Sequence, residues 1–495
     1  MGTIAELIRW RGERHPDLPA TWYQDRVRTY GGLNQSSSEL AGGIAHKLGL
    51  QPGDRVAILD KNSDTYVELL FALDKAGVVA APINRRLTAQ EIAPVIDDID
   101  PKVIVVGEEF ASLCAGVVAP LLGFDELPRG GSDPRRDVEG AVTWQLSTSG
   151  TTGVPKGAML TGCSILDAGA SMALEMPEFR EGGPFLACLP MFHVGGAGTT
   201  IWAMRQGATV FIEREALPEM LLETMLAHKI ETTHLVPAIL QRLSELPAAR
   251  EADFSHLKHI AYGAAPMSPD VMARCIALFG CRFTQFYGLT ETTGPFAALP
   301  FEHHHGERRW SCGRAMFGGR AQIVDPEGRE LPRGDIGEIV YRGQNLMAGY
   351  WHRPDATDEA MRGGWFHTGD AGTMDEDGFI FIKDRIKDMI VSGGENIYPA
   401  EIESVLAGHP DIVDVAVIGV PDDRWGEGVK AIVVTREGSP VNAETLIEWC
   451  RDRLAGYKRP RSIDFAETLP RNPSGKLLKR ELRKPFWLGR ERNVN

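Results

Sequence analysis

The chain has 495 residues, of which 43% are hydrophobic, and a formal net charge of −14. This length allows two or more packed domains, and the acidic balance without a dominant Lys/Arg cluster argues against a nucleic-acid partner. Seven cysteines without a C-x-x-C spacing indicate neither a disulfide framework nor a zinc site.

The N-terminal residues 1–20 carry charges and lack the apolar core of a signal peptide. The longest mostly apolar run, residues 111–124, is too short to span a bilayer. The sequence therefore predicts a cytoplasmic protein without a transmembrane segment.

Short apolar runs alternate with helical patterns along the first 300 residues. The runs at 55–59, 102–106 and 208–212 predict buried strands, and the 3.6-residue periodicity at 65–76, 217–228 and 268–279 predicts helices. This alternation is typical of parallel sheets covered by helices, which is an α/β fold.

The pattern changes after residue 319. Residues 319–350 read as antiparallel strands and predict a β-rich lobe. Beyond a boundary near 384–388, helices are predicted at 400–407 and 443–454, with strands at 413–420 and 430–435. That C-terminal part is a compact α/β domain of ordinary size.

The strongest chemical signal is the run LSTSGTTGVPKGAML at residues 146–160. Glycines bring backbone N–H groups close to oxyanions, hydroxyls add donors, and a lysine adds charge, so we expect a phosphate-binding loop. Alternation at 142, 144 and 146 predicts a strand before the loop, so we expect the loop to leave a sheet edge. Because Pro155 precedes the lysine and Gly157 follows it, the run is not a Walker A loop. The expected ligands of phosphate are Thr148, Ser149, Gly150, Thr151, Thr152, Gly153 and Lys156.

Two later segments carry carboxylates suited to a nucleotide. In QFYGLTE at 285–291, Glu291 beside Thr290 offers oxygen ligands of the kind that Mg²⁺ prefers. In GWFHTGD at 364–370, Asp370 is a candidate acceptor for ribose hydroxyls, with Arg385 as a second contact.

These segments, in this order, resemble the adenylate-forming superfamily, which contains acyl- and aryl-CoA synthetases, luciferases and peptide-synthetase adenylation domains. The resemblance runs from about residue 20 to residue 483 and is greatest to fatty acyl-CoA synthetases. It implies a large N-terminal domain of two parallel-type sheets with helices plus a β-rich lobe (1–385). A hinge (386–388) and a small, mobile C-terminal α/β domain (389–495) would follow.

The resemblance also implies roles for individual residues. Glu291 would bind Mg²⁺, Thr290 would touch the α-phosphate, and Tyr287 would stack on adenine. Lys476, in PRNPSGK at 470–476, would bridge the substrate carboxylate and the α-phosphate. The adenine-side residues are expected to be Gly263, Ala264, Ala265, Pro266 and Gly288.

The second half-reaction is expected to use the C-terminal domain. By motif position the hinge is Lys387, and the loop presented to the pantetheine arm of CoA contains Gly393, Gly394 and Glu395. The two glycines would leave space for a narrow tunnel.

The run LPMFHVGG at 189–196 resembles the segment that lines the acyl site in this superfamily. By that resemblance His193 would act as the gate at the carboxylate end of the substrate. Val194 stands where amino-acid-activating relatives carry an aspartate, so an amino acid is not expected, and Val194 and Gly195 would line the acyl pocket. Small residues could open a deep apolar channel, which favours a fatty acid, although an aryl acid fits almost as well. These small residues are Gly195, Gly196, Ala197, Gly198 and Gly263.

The implied function is an ATP- and Mg²⁺-dependent acyl-CoA ligase that activates a medium- or long-chain fatty acid as acyl-AMP and transfers it to CoA. An aryl-CoA ligase for benzoate- or cinnamate-type acids and an acyl-AMP ligase that loads a carrier protein are alternatives. A non-catalytic nucleotide-binding regulator should have lost Glu291 or Lys476, and both are present. The oligomeric state stays open, with a homodimer as one option.

Overall fold

A computed structural model describes residues 2–148, 156–471 and 477–488. The chain divides into two compact units. The first contains Met1–Ala321 and Tyr341–Phe366, and the second contains Gln322–Val340 and His367–Asn495. The domain limits expected from the sequence, with a hinge at 386–388, stay a prediction.

Strands and helices alternate through the first 300 residues, as the sequence predicts. The strands are β1 (Pro19–Tyr23), β2 (Arg26–Thr29), β3 (Arg55–Leu59), β4 (Val79–Pro82), β5 (Val103–Val106), β6 (Leu121–Leu122), β7 (Val142–Thr148), β8 (Lys156–Thr161), β9 (Pro184–Ala187), β10 (Thr209–Ile212), β11 (Thr232–Leu235), β12 (His259–Gly263), β13 (Arg282–Leu289), β14 (Gly294–Leu299), β15 (Arg314–Ala315), β16 (Gly319–Val324), β17 (Gly337–Gly343), β18 (Gly349–Tyr350), β19 (Phe366–Met374), β20 (Ile380–Arg385), β21 (Ile390–Ser392), β22 (Glu395–Ile397), β23 (Ile412–Asp422), β24 (Gly426–Thr435) and β25 (Ser462–Phe465).

The helices are α1 (Ile4–Arg14), α2 (Tyr30–His46), α3 (Asp64–Lys75), α4 (Ala89–Ile99), α5 (Gly162–Glu175), α6 (Val194–Arg205), α7 (Pro218–Ala227), α8 (Pro237–Glu245), α9 (Pro247–Arg250), α10 (Pro269–Phe279), α11 (Pro354–Ala360), α12 (Pro399–Ala407), α13 (Ala443–Trp449) and α14 (Lys479–Arg483). No helix among the described residues has the length and apolar character needed to cross a membrane.

Local signals explain where several helices begin and end. In α10 the Ser268 side chain accepts a hydrogen bond from the Val271 N–H, Pro269 occupies the first turn, and Gly280 ends the helix at φ 61°. The predicted helix 443–454 is shorter, because α13 ends at Trp449. There the Arg453 guanidinium covers the Trp449 ring at 3.7 Å and donates to its carbonyl oxygen, in place of a further helical N–H.

The first unit contains a large mixed sheet with the strand order β15–β14–β13–β12–β11–β9–β10–β1–β2. Strands β10, β9, β11, β12 and β13 are parallel to their neighbours within this run. Their carboxyl ends therefore lie at one edge of the sheet.

The other sheet of the first unit has the order β18–β8–β7–β4–β3–β5–β6. Its parallel part, from β7 to β6, confirms the predicted second parallel-type sheet. The strand predicted before the loop is confirmed as β7, and it lies inside the sheet. Strand β8 pairs antiparallel with β7, and β18, which comes from far along the chain, then pairs with β8.

The second unit has a sheet ordered β16–β17–β19–β20, which corresponds to the predicted β-rich lobe, and a sheet ordered β22–β21–β24–β23 with β25 on β24. Ile402 and Leu406 of α12 are fully buried in the core of this second sheet. The mixed α/β fold class expected from the sequence is confirmed.

Candidate active site

The carboxyl edge of the large sheet brings together several predicted residues of the first unit. Strand β12 ends at Gly263, and the parallel strand β13 ends at Leu289, one residue before the turn Thr290–Thr292. Open α/β sheets bind their ligands at such carboxyl ends. The predicted adenine-side residues and the Thr290–Glu291 pair therefore occupy one edge.

Close approach of backbones accounts for two glycines at this edge. A Cβ on Gly263 would collide with the Phe286 carbonyl oxygen, and a Cβ on Gly288 would collide with the Gly294 carbonyl oxygen. After Gly263 the chain turns outward at Ala264, which adopts a left-handed φ of 68°. Ala264, Ala265 and Pro266 are all exposed, so a ligand at this edge can reach them.

Hydrogen bonds of Thr292 fix the turn that carries Glu291. The buried Thr292 hydroxyl donates to the Gly294 carbonyl oxygen at 2.6 Å and accepts from the Leu289 N–H at 2.9 Å. Nearby, the Tyr287 ring packs edge-on against Phe296 with centroids 4.9 Å apart. Both contacts limit the positions that the Glu291 carboxylate and the Tyr287 ring can take.

Tyr350 links the phosphate-loop strand to Glu291. Its hydroxyl donates to Glu291 Oε1 at 2.8 Å, and Lys156 Nζ lies 5.1 Å from its ring centroid. The backbones are joined too, since the Met347 N–H donates to the Glu291 carbonyl oxygen at 2.8 Å. Burial raises the pKa of Tyr350 well above its usual range, so the hydroxyl stays a donor at neutral pH.

The residues around Glu291 fit a magnesium ion held partly by substrate. Of its two carboxylate oxygens, Oε1 is hydrogen-bonded to Tyr350. The described ranges contain no cluster of three His, Cys, Asp or Glu side chains that would form an all-protein cage. Mg²⁺ is commonly bound by one or two carboxylates together with phosphate oxygens, and this donor set is of that kind.

His193 occupies the position before α6 and is held neutral. Its backbone carbonyl accepts from the N–H groups of Gly196 and Ala197 at 2.9 and 3.0 Å. Burial, with a smaller contribution from Arg86, lowers the pKa of His193 to about 4. Its Nε2 is buried, and within the described part of the chain it has no hydrogen-bond partner. A neutral imidazole with an unused nitrogen is consistent with the predicted gate.

The deep channel expected along the small residues stays a prediction, and at three of them the position of a Cβ is already filled. A Cβ on Gly196 would collide with the Pro190 carbonyl oxygen, and one on Gly198 would lie 3.0 Å from the Trp202 ring. At Gly263 the Phe286 carbonyl oxygen fills the position of a Cβ, as described above. At Gly195 the nearest group is Leu189 Cδ1 at 3.7 Å, an ordinary contact beside the half-buried Val194.

In the second unit, the predicted ribose residues form a pair across one hairpin. Asp370 on β19 lies opposite Arg385 on β20, and Arg385 Nε is 2.6 Å from Asp370 Oδ1. Arg385 also donates to the Thr368 carbonyl oxygen at 3.2 Å, while the Thr368 hydroxyl accepts from the Asp370 N–H. These contacts orient the Asp370 carboxylate, and its side chain is buried.

The predicted hinge residue Lys387 lies in a single 3₁₀ turn, Ile386–Asp388, between β20 and β21. Arg483 donates to the Lys387 carbonyl oxygen at 3.3 Å and to Asp388 Oδ1 at 2.8 Å. Burial lowers the pKa of Lys387.

The predicted CoA loop is a two-residue hairpin turn between β21 and β22. Gly393 and Gly394 have φ of 63° and 86°, and two positive φ angles are what this turn type demands. A Cβ on Gly393 would also lie 2.6 Å from the Trp425 ring. The turn alone therefore requires both glycines, while Glu395 beside them is exposed.

Six predicted residues, Ser149, Gly150, Thr151, Thr152, Gly153 and Lys476, lie outside the described residues. The flanking Thr148 is described, and its hydroxyl donates to the Lys156 carbonyl oxygen at 3.2 Å. Conversely, sequence reasoning missed Tyr350. No spacing signal marks it, since it lies 59 residues from Glu291.

Two family models match this chain. The AMP-binding enzyme model matches residues 8–351, and the model of the AMP-binding enzyme C-terminal domain matches residues 401–476. The chain belongs to the AMP-binding enzyme family. The resemblance inferred from the motifs is thereby confirmed, and the interval between the two matches contains the predicted hinge.

Curated relatives cover almost the whole chain. The fatty acid–[acyl-carrier-protein] ligase ScoC of Streptomyces coeruleorubidus is 39% identical, over 100% of this chain and 98% of its own length. Feruloyl-CoA synthase of an Amycolatopsis species is 38% identical, over 96% and 97%. The names of these relatives, one a ligase and one a CoA synthase, agree with the acid-thiol ligase class predicted from the sequence.

A solved structure of similar fold carries the predicted nucleotide and metal. The o-succinylbenzoate coenzyme A synthetase MenE of Bacillus subtilis, in complex with ATP and a magnesium ion, is 30% identical with a TM-score of 0.88, covering 96% of this chain and 98% of MenE. The prediction of ATP and Mg²⁺ agrees with the ligands of that protein.

Proposed function

We propose that this chain is an AMP-forming acyl-CoA ligase: it joins a carboxylic acid to AMP at the expense of ATP, releases pyrophosphate, and transfers the acyl group to the thiol of CoA. The observation that carries this proposal is the link from Lys156 through Tyr350 to Glu291 at the carboxyl edge of the large sheet. This link joins β8, the strand after the phosphate loop, to the turn Thr290–Thr292. Both the loop and the turn are expected to contact the phosphates of ATP.

In the first half-reaction, the substrate carboxylate attacks the α-phosphorus, and the bond to pyrophosphate breaks. We assign Lys156 and the loop residues 149–153 to the departing phosphates, Thr290 to the α-phosphate, and Lys476 to the charge shared between carboxylate and phosphate. Fixed donors of this kind act where charge develops, and removing one typically costs about 10²–10³ in rate. Mg²⁺, when bound at Glu291, would neutralise phosphate charge.

We assign the nucleoside to two of the described residues. Tyr287 offers a ring for adenine, and Asp370 offers carboxylate oxygens for the ribose hydroxyls, with Arg385 Nε 2.6 Å from Asp370 Oδ1 to hold the carboxylate in place. His193, neutral at pH 7, orients the incoming carboxylate without adding charge of its own.

In the second half-reaction, the CoA sulfur attacks the acyl carbon, AMP leaves, and the thiol proton passes to solvent. We assign the rearrangement between the steps to the turn at Lys387 and the approach of the pantetheine arm to the Gly393–Gly394 turn. The short turn between two strands supports the hinge role, since a few element-terminal residues can absorb a large backbone change.

The acid itself carries no ammonium group, since Val194 offers no counter-charge. Fatty and aryl acids both occur among the printed names of the relatives, ScoC for the first and feruloyl-CoA synthase for the second. The sequence favoured a medium- or long-chain fatty acid, whereas the filled positions at Gly196 and Gly198 favour a more compact acid.

The acceptor has one specific alternative. ScoC is named for an acyl-carrier protein, and it is 39% identical to this chain. A carrier's phosphopantetheine would use the same thiol chemistry as CoA, so the two acceptors differ only in what surrounds the thiol.

The test is to measure AMP and pyrophosphate release from ATP, Mg²⁺ and CoA with C2 to C18 fatty acids and benzoate- and cinnamate-type acids, with Lys476→Ala alongside. Acid- and CoA-dependent AMP release, lost in the variant, would support the ligase. Acid-dependent pyrophosphate release without transfer to CoA would favour the carrier protein. ATP binding with no acid-dependent turnover would overturn the proposal and favour a regulator.

A further inference from the structure

A tryptophan occupies the interior space next to the expected acyl pocket. Trp202 of α6 is only 2% exposed, and its indole N–H donates to the Ile165 carbonyl oxygen at 2.8 Å. It belongs to an apolar cluster that includes Ala261 of β12 and Phe286 of β13. These two strands are the ones whose carboxyl ends carry the candidate active site.

Glycines from three elements make room for this indole. A Cβ on Gly169 of α5 would collide with Trp202 Cδ1, one on Gly198 would lie 3.0 Å from Cζ2, and one on Gly294 would lie 2.8 Å from Cη2. The Gly294 position is also 3.6 Å from Val194 Cγ2, so the indole lies close to a predicted acyl-pocket residue. The small residues therefore accommodate a large fixed ring.

A histidine with an unused nitrogen shares this sheet face. In the register of the sheet, His234 pairs with Ala261, and Gly263, two residues further along, pairs with Phe286. Because side chains alternate between faces, His234, Ala261 and Phe286 lie on the same side. The rings of His234 and Phe286 are 6.4 Å apart. This group lies one layer below the glycines at the carboxyl edge.

His234 differs from the other histidine of this face, His259. Both ring nitrogens of His259 are hydrogen-bonded, to Glu178 at 2.5 Å and to Thr284 at 2.9 Å. Among the described residues, His234 Nδ1 has no partner although it is buried, and the residue as a whole is 8% exposed. A buried polar atom without a partner normally costs about 1–3 kcal/mol, so a ligand group that pairs with it is favoured.

We propose that Trp202 closes the acyl pocket and that His234 at its floor binds a polar group, so that the substrate is a compact acid, such as a single-ring acid, with a hydroxyl at the end far from its carboxylate. This inference rests on the proposed ligase function and names the substrate class of that same site. The neutral imidazole can donate or accept at Nδ1 according to its tautomer, and the flat rings of Trp202 and Phe286 suit an aromatic neighbour.

The first measurement uses the unaltered protein. We expect kcat/KM for 4-hydroxybenzoate or 4-hydroxycinnamate to exceed that for benzoate or cinnamate by about tenfold or more, because a site that pairs with a hydroxyl rejects the analogue without it. Palmitate should be the poorest acid. Palmitate used as well as the compact acids would overturn the inference while leaving the ligase function intact. No activation of any acid would remove the proposed function and this inference together.

Variants then separate the two residues. His234→Leu should bring the ratio of hydroxylated to unsubstituted acid close to one, whereas His234→Asn, which keeps a polar atom, should restore part of it. The matched control His259→Leu removes a buried histidine of the same face and should leave the ratio unchanged. A ratio that survives His234→Leu would contradict the assignment.

Trp202→Ala should raise kcat/KM for C8 to C16 acids relative to the compact acids. The control Trp144→Ala deletes a fully buried indole in the other sheet and should not change the relative preference. If Trp202→Ala does not fold, Trp202→Phe and the acid profile of the unaltered protein still decide the matter. An unchanged preference in a folded Trp202 variant would overturn the role of the indole.

Discussion

The two units assemble their polar residues in different ways. In the first, Glu291 and Tyr350 are 59 residues apart in sequence, and their hydrogen bond joins the two sheets. In the second, Asp370 and Arg385 face each other across one hairpin. The difference teaches that a substitution in the second unit removes a local contact, whereas one in the first disturbs the geometry between two sheets. We therefore expect substitutions at Glu291 or Tyr350 to slow adenylation, and substitutions in the second unit to have effects that can be separated from one another.

The sharpest separation is expected at the hinge. Lys387→Pro should leave pyrophosphate release intact and abolish thioester formation, because a fixed φ prevents the backbone change at the turn between β20 and β21. Single-turnover assays of each half-reaction check this. Lys387→Ala, which keeps backbone freedom, is the control. Equal losses in both half-reactions would contradict the hinge assignment.

Glu291→Gln should lower the adenylation rate by about 10²-fold or more, since it removes a charge expected to act on the phosphates while keeping an acceptor for Tyr350. The measurement is acid-dependent pyrophosphate release over a range of Mg²⁺ concentrations. A variant with unchanged rate and unchanged Mg²⁺ dependence would exclude Glu291 as the metal ligand.

Asp370→Ala should raise KM for ATP by roughly ten- to a hundredfold, the equivalent of about 1.5–3 kcal/mol for hydrogen bonds to a charged group. Comparing ATP with 2′-deoxy-ATP tests the ribose contact directly. The unaltered protein should prefer ATP, and the variant should discriminate less. A preference that is equal in both proteins would show that Asp370 does not touch the 2′-hydroxyl.

Tyr350→Phe should slow adenylation by about tenfold, the value of a single charge-assisted hydrogen bond. The loss should appear mainly in kcat and shift the Mg²⁺ dependence, because the hydroxyl acts through Glu291. Tyr30→Phe is the control, since its buried hydroxyl donates to the Ala208 carbonyl oxygen at 2.8 Å without involving Glu291. Equal effects of the two substitutions would reduce Tyr350 to a structural residue.

The smallest expected effect is on stability and pH. Burial lowers the pKa of His234 to about 4, below the unfolded value near 6.5, so the unfolded chain binds the extra proton first and stability falls as the pH drops below 6.5. Between pH 7 and pH 5 this one group should cost about 2 kcal/mol. Urea unfolding of the unaltered protein and of His234→Leu at both pH values measures it. The same pH dependence in both proteins would contradict the assignment.

Much of the fold followed from local patterns. The run 55–59 is a strand with the predicted bounds. All five of its residues are buried, including Arg55, as expected for a strand that is covered on both faces. Helix α10 begins at its predicted Ser268 cap. The position of β7 could not be predicted, since the strands that extend the sheet beyond it depend on Tyr350 and its neighbours, far along the chain.

The residues of the candidate site likewise differ in whether a local sequence pattern could predict them. The Asp370–Arg385 pair was predictable because both residues lie in neighbouring motifs that form one hairpin. Tyr350 was not, because a donor to Glu291 is recognised only once β18 lies beside β8. The sequence predicted that Gly393 and Gly394 leave space for a tunnel. The positive φ angles of the turn between β21 and β22 are by themselves a sufficient reason for both glycines.

The sequence by itself determined the family, because the residues expected to bind phosphate, metal and ribose lie in contiguous motifs whose side-chain types indicate that chemistry. Only the tertiary structure decided how the acyl side is filled. Gly169, Gly198 and Gly294 look alike in sequence as permissive small residues, and whether they enclose a channel or a ring depends on which side chain reaches them. Close packing of three separate elements around Trp202 settles that space, and no local pattern records it.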